Sequence, residues 1–240
     1  AYFFMGDAMV CMGSGIKAAR TQEVRTSVNQ CLANGEVTYG LSGHTYRLTN
    51  NLSDKNIDWA YHDNVGYIFP QNESVTLRKA KQTGAWRELE VTASDKPVTK
   101  EIFSLWVSHG TTPQHEDYCY IIMPDKPLSY FTDKKFENEI KIIVNSEQIQ
   151  AISNENKRQY AAVFYEPGEI RFAEDLVVTV NKKVIIYIEK KDKQYEIAVA
   201  DPLYKEQSLQ LSMNGEQINI VFPSGDYSGS SVIKHITEKH

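Results

Sequence analysis

Residues 176–200 read LVVTVNKKVIIYIEKKDKQYEIAVA. Three apolar runs, at 177–180, 184–188 and 195–199, are cut apart by Asn181-Lys182 and Lys191-Asp192, both tight-turn signals. Valine, isoleucine and tyrosine fill the runs, and these side chains suit a pleated, half-buried surface. Each run is strand length, far short of the ~20 residues of a membrane-spanning helix. The spacing predicts three successive strands of an antiparallel meander.

The same grain extends in both directions. Toward the C-terminus, runs at 209–213 and 218–222 flank Asn214-Gly215, and a last one spans 231–236. Toward the N-terminus lie 140–144, 148–153 and 160–165. Between 124 and 139 the pattern loosens: PDKPLSYFTDKKFENE has two prolines, many charges and no strand period, with room for a turn or two of helix at 128–138. This is the natural boundary, dividing the chain into 1–135 and 136–240. Before it come runs at 2–5, 9–12, 23–32, 36–41, 46–48, 59–61, 67–69, 74–79, 85–91, 101–108 and 118–123. Gly6-Asp7 and Asn34-Gly35 punctuate them as turns. Regular short strands with turn punctuation predict an all-β protein made of two antiparallel β-sandwich units. The chain opens directly on the apolar AYFFM, as if inside a strand, with no basic leader. That start predicts a piece of something longer.

Composition narrows the function classes. The 240 residues are 41% hydrophobic, 24% charged and 11% aromatic, which excludes intrinsic disorder. A net charge of −5 argues against a nucleic-acid partner, which needs a basic footprint. Cys11, Cys31 and Cys119 match no zinc spacing and read as small buried hydrophobes.

Few residues suggest chemistry. His62-Asp63-Asn64 offers an imidazole beside a carboxylate, or simply a strand-turn-strand corner held by Asp and Asn side chains. His109 closes an apolar strand, where a hydrogen-bonded structural histidine is the simpler reading. His115 and Glu116 share a polar loop that is a weak metal candidate. Among the tryptophans, Trp106 lies inside an apolar run, whereas Trp86 follows Thr83-Gly84 and precedes Arg87-Glu88. Trp86 is therefore the tryptophan expected at the surface. Exposed aromatic faces can stack on sugar rings.

The ordered series of segments carries more information than any single residue. YFFMGDAMVCMGSGI (2–16), EVRTSVNQCLANGEV (23–37), WAYHDNVGYIFP (59–70), QTGAW (82–86) and LWVSHGTTPQHEDYCYIIMP (105–124) together resemble the central β domain of the family 8 polysaccharide lyases. SEQIQAI (146–152), AAVFYEPGEI (161–170) and AVADPL (198–203) resemble the small C-terminal sandwich of the same enzymes. The likeness is strongest to the chondroitin AC type and covers nearly the whole chain.

The resemblance implies part of a central β super-sandwich at 1–135 and a C-terminal β-sandwich at 136–240. It implies a parent enzyme that degrades uronic-acid-containing glycosaminoglycans, chondroitin sulfate or hyaluronan, by β-elimination. In the family the catalytic Asn, His, Tyr and Arg belong to an N-terminal helical domain. No position here matches that motif, so no catalytic residue is carried over. The expected role is support: loops at 62–64 and 111–117 would wall a cleft, with Trp86, His62 and Asn64 as substrate-binding candidates. The expected partners are the acidic polysaccharide and the helical catalytic domain. No cofactor is implied for this chain, although some relatives bind calcium. A secreted bacterial protein, extracellular or periplasmic, is implied by the polymeric substrate. The alternative is a free-standing carbohydrate-binding β-sandwich module.

Overall fold

The structure, a computed structural model, describes residues 1–19 and 21–237. The chain divides into two compact units. One comprises Gly6–Cys11 and Gly15–Lys135; the other comprises Ala1–Met5, Met12–Ser14 and the chain from Phe136 onward. Among the described residues the architecture is almost wholly antiparallel β, as expected from the strand-length apolar runs.

A seven-stranded sheet runs in the order Tyr2–Met5, Ala8–Ile16, Glu116–Pro124, Val65–Ile68, Ile57–His62, Thr38–Leu41, His44–Arg47. A four-stranded sheet runs Arg25–Leu32, Val98–Ser108, Val75–Gly84, Leu52–Asp54. Phe103, Leu105, Val107, Val75 and Leu77 from the smaller sheet share one core with Cys11, Ile57, Ala60, Tyr67 and Tyr120 from the larger. Two-residue alternation places these side chains inward, and burying them is the main source of the sandwich's stability. A five-residue helix, Leu128–Thr132, follows in the Pro-rich segment and buries Phe131.

The second unit pairs a six-stranded sheet with a four-stranded one. The larger runs Lys141–Asn145, Ile149–Asn154, Gln159–Phe164, Val184–Lys191, Gln194–Ala200, Val232–Thr237. The smaller runs Gly168–Ala173, Leu176–Val180, Ser208–Met213, Glu216–Val221.

Here the structure corrects the meander. Val184–Lys191 and Gln194–Ala200 do form a hairpin, with Lys191 opposite Gln194. Leu176–Val180 does not join them; it pairs with Gly168–Ala173 and Ser208–Met213 in the other sheet. Leu176, Val178 and Val180 enter the core from one side, and Val184, Ile186 and Ile188 from the other. Residues 181–183 are a crossing between sheets rather than a hairpin turn. Asn181 ties the start of that crossing to the smaller sheet: its Oδ1 accepts the Gln210 N–H at 3.0 Å. Alternation identifies which face of a strand is buried, but not which strand it pairs with.

The expected strand at 85–91 is also absent. Trp86–Glu88 is a single 3-10 turn in the exposed connection between two long paired strands, Val75–Gly84 and Val98–Ser108. Glu88 Oε1 accepts the Ala85 N–H at 3.2 Å, a local bond that competes with strand pairing.

Candidate functional site

His62, Asp63 and Asn64 form the turn of a tight hairpin. Strands Ile57–His62 and Val65–Ile68 pair antiparallel, with His62 opposite Val65. Asp63 and Asn64 have φ of 50° and 61°. Positive φ at both central residues matches the twist of a two-residue hairpin, and Asp and Asn tolerate it better than other non-glycine residues.

The turn is braced from several sides. Tyr61 Oη donates to Asn64 Oδ1 at 3.1 Å, and Asn34 Nδ2 donates to Asp63 Oδ2 at 3.1 Å. The Asp125 N–H donates to the Asn64 carbonyl at 2.9 Å. Asp63 and Asn64 themselves are exposed and form a polar rim.

His62 points inward and is only 1% exposed. Its ring packs on Phe103 at 4.6 Å between centroids, and Nδ1 lies 3.7 Å from Cys31 Sγ. Burial pushes the imidazole pKa down, favouring the neutral ring. Below it, Asn29 Nδ2 donates to Tyr67 Oη. Burial is the main reason that phenol's pKa is pushed up to about 12. These groups brace the hairpin from within, where His62 and Tyr67 are buried away from solvent.

Trp86 is 62% exposed in the 85–97 connection, with Leu89 and Val91 also exposed nearby. The expectation that this tryptophan lies at the surface holds. Trp59 is buried, and Trp106 is half-buried with the Arg25 guanidinium 4.5 Å above its ring. No described contact joins Trp86 to the 62–64 turn.

His109 is a buried strand end: its ring Nε2 is 2.8 Å from Thr26 Oγ1, and its N–H donates to the Val24 carbonyl at 2.9 Å. Cys11 and Cys119 are buried and Cys31 is half-buried; all three are free thiols. Burial raises each of their pKa values, which disfavours the nucleophilic thiolate. Among the described residues, no group of three or more His, Cys, Asp or Glu is placed to hold a metal ion. No described helix is long and apolar enough to cross a membrane.

Comparison with known proteins gives this architecture a family. The super-sandwich domain model of polysaccharide lyase family 8 matches residues 1–135, and the model of that family's C-terminal β-sandwich domain matches 141–210. The chain is 29% identical over 243 residues to the chondroitinase-AC of Pedobacter heparinus, an alignment covering 97% of this chain and 34% of that protein. It is 24% identical over 230 residues to a hyaluronate lyase of Thermasporomyces composti, covering 92% of this chain and 28% of that enzyme. A solved structure of chondroitinase AC lyase superposes with a TM-score of 0.89 at 26% identity, over 97% of this chain and 35% of that one. The chain thus spans about a third of the length of these relatives. With both β domains matched in order, the chain belongs to polysaccharide lyase family 8, of which it is a β portion.

Proposed function

We propose that this chain is the non-catalytic β region of a lyase that cleaves uronic-acid-containing glycosaminoglycans by β-elimination. The observation that carries the reading is the co-linear match to both β domains of the family, together with 29% identity to a chondroitinase-AC. The local chemistry agrees. His62 is buried out of reach of solvent, burial disfavours the thiolates, and the phenol of Tyr67 stays protonated. Proton abstraction beside a uronate carboxylate needs a poised base and a group that neutralises the carboxylate. In this reading both come from a helical domain elsewhere in the parent protein.

The role of this region is then to wall and stiffen a substrate cleft. The braced turn at 62–64 and the loop at 111–117 are the wall. Asn64 and Trp86 meet the sugar chain, and His62 acts from beneath by fixing the turn. A rigid sandwich is a suitable base for such loops, because sites on packed sheets hold their geometry better than sites on free loops. The domain division falls near 135/136, and the parent works outside the cytoplasm on its polymeric substrate. The exposed Trp86 favours a second reading, a glycan-binding module without a catalytic partner.

The test is a lyase assay on the purified chain with chondroitin sulfate and hyaluronan, following the ultraviolet absorbance of the unsaturated uronate product. The Pedobacter heparinus enzyme serves as positive control. A silent chain beside an active control is the expected result. Product formation by this chain alone would overturn the non-catalytic assignment.

A further inference from the structure

A cavity of about 500 Å³ opens in the first unit between the ends of strands Val75–Gly84, Val98–Ser108 and Glu116–Pro124. Its size is that of a small-ligand site. Glu73, Glu116 and Asp117 line it, with His109 and Ser108, and among the described residues Lys55 is the only lysine or arginine in the lining.

Glu73 is only 8% exposed. One carboxylate oxygen accepts the Cys119 N–H at 2.8 Å; the other is buried and makes no hydrogen bond of ordinary geometry, although the backbone N–H groups of Glu73 and Gln71 also favour the charged form. A buried acceptor left unpaired is costly, so such a group in a cavity wall calls for a donor. The surrounding charges do not supply one. Burial keeps His109 toward its neutral form. Burial and, after it, the neighbouring Glu116 raise the Asp117 pKa, against a smaller opposing effect of His109.

This field repels an acidic polysaccharide, so a uronate polymer passing along the 111–117 loop would stay outside the cavity, and the inference does not rest on the function proposed above. The carboxylates are too dispersed for one metal ion: no group of three described acidic, His or Cys residues could hold one. A ligand with cationic donors spaced along a short chain fits both facts.

We infer that this cavity, with Glu73 in its wall and Glu116 and Asp117 beside it, binds a small aliphatic amine of the diamine or polyamine class in its ammonium form. One ammonium approaches Asp117 and Glu116, and a second donor reaches toward Glu73. A charge-assisted N–H bond to a carboxylate is stronger than a neutral one, which favours an amine over a sugar hydroxyl here.

The test is calorimetric titration of the chain at low ionic strength with putrescine and spermidine, and with calcium chloride and N-acetylglucosamine as comparators. One saturable spermidine site is expected. Glu116→Gln and Asp117→Asn should each weaken it tenfold or more. Asp226→Asn, which removes the same charge on an exposed turn outside the cavity, should change it less than twofold. Equal weakening by all three variants would mean diffuse attraction to a chain of net charge −5 and would overturn the site. So would the absence of saturable binding, stoichiometric calcium binding that displaces spermidine, or tighter binding of N-acetylglucosamine. Circular dichroism checks each fold; should Asp117→Asn not fold, Glu116→Gln carries the decision.

Discussion

The ring of Phe131 fills the space that a side chain on Gly66 would occupy. Gly66 lies in the strand Val65–Ile68, directly after the 62–64 turn, and Phe131 projects from the short helix Leu128–Thr132. Phe131 is fully buried, with its ring 5.9 Å from Trp59 and 5.4 Å from Tyr61. The close approach lets the helix seal this part of the hairpin.

Gly66→Ala is therefore expected to destabilise the first unit by about 2 kcal/mol, the usual scale for overpacking a filled core. Thermal or urea denaturation measures it. A change below 0.5 kcal/mol would show that the helix moves away at little cost. Phe131→Ala, which leaves a cavity instead, should cost about 3–5 kcal/mol.

In the second unit, Asp201 holds the chain after strand Gln194–Ala200 by accepting the N–H groups of Leu203, Lys205 and Glu206 at 2.8, 2.7 and 2.8 Å. Burial by itself would raise its pKa, but the backbone donors together outweigh it and hold the carboxyl below the ordinary value. The unfolded chain thus binds this proton more readily than the folded one. Asp201 stabilises the fold above the unfolded carboxylate pKa of about 3.9, and that contribution is lost as pH falls through the folded value. Asp201→Asn should cost about 2 kcal/mol at pH 7, and the gap from the native chain should narrow in acid. A gap independent of pH would refute the charge-based account.

Glu73 has the opposite sign. Burial, its largest influence, raises its pKa, so the folded chain binds the proton more tightly than the unfolded one. Stability from this group is full below the unfolded pKa of about 4.3 and declines as pH rises through the folded value. Glu73→Gln keeps an acceptor for the Cys119 N–H and removes the buried charge. It should raise stability at pH 7 by about 1 kcal/mol and change little near pH 4. Equal destabilisation at both pH values would show that the carboxylate itself is needed for packing.

Trp86 makes its prediction at the surface. With 62% of the residue exposed, Trp86→Ala should leave the melting temperature nearly unchanged. Retention on immobilised chondroitin sulfate should fall several-fold, in line with the ~0.5–1.5 kcal/mol of an aromatic stacking contact. Unchanged retention would remove Trp86 from the glycan-facing surface.

Much of this fold is legible in the chain. The hairpin turn at Asp63-Asn64 is marked by two residues that accept positive φ between apolar runs. The helix carrying Phe131 lies in the Pro-rich, charged stretch 124–139, where the strand period is lost. Strand partners are less legible. Leu176–Val180 and Val184–Lys191 look like hairpin arms yet enter one core from different sheets. The candidate site divides in the same way. Exposure of Trp86 follows from its polar neighbours, but inward-pointing His62 reads as exposed turn chemistry until Phe103 is seen against its ring. The pocket around Glu73 has no sequence signature, because its walls come from separate segments at 55, 71–74, 107–110 and 116–117.

The sequence by itself determined the strand-rich architecture, the positions of many turns and, through the order of its segments, the family. These depend on local backbone preference and on two-residue alternation, which a linear chain records directly. Tertiary structure decided which strands share a sheet, which polar side chains are buried, and which carboxylates converge on a cavity. Those outcomes depend on contacts between distant segments, and on the cost of burying a charge or an unpaired acceptor that only the assembled core imposes.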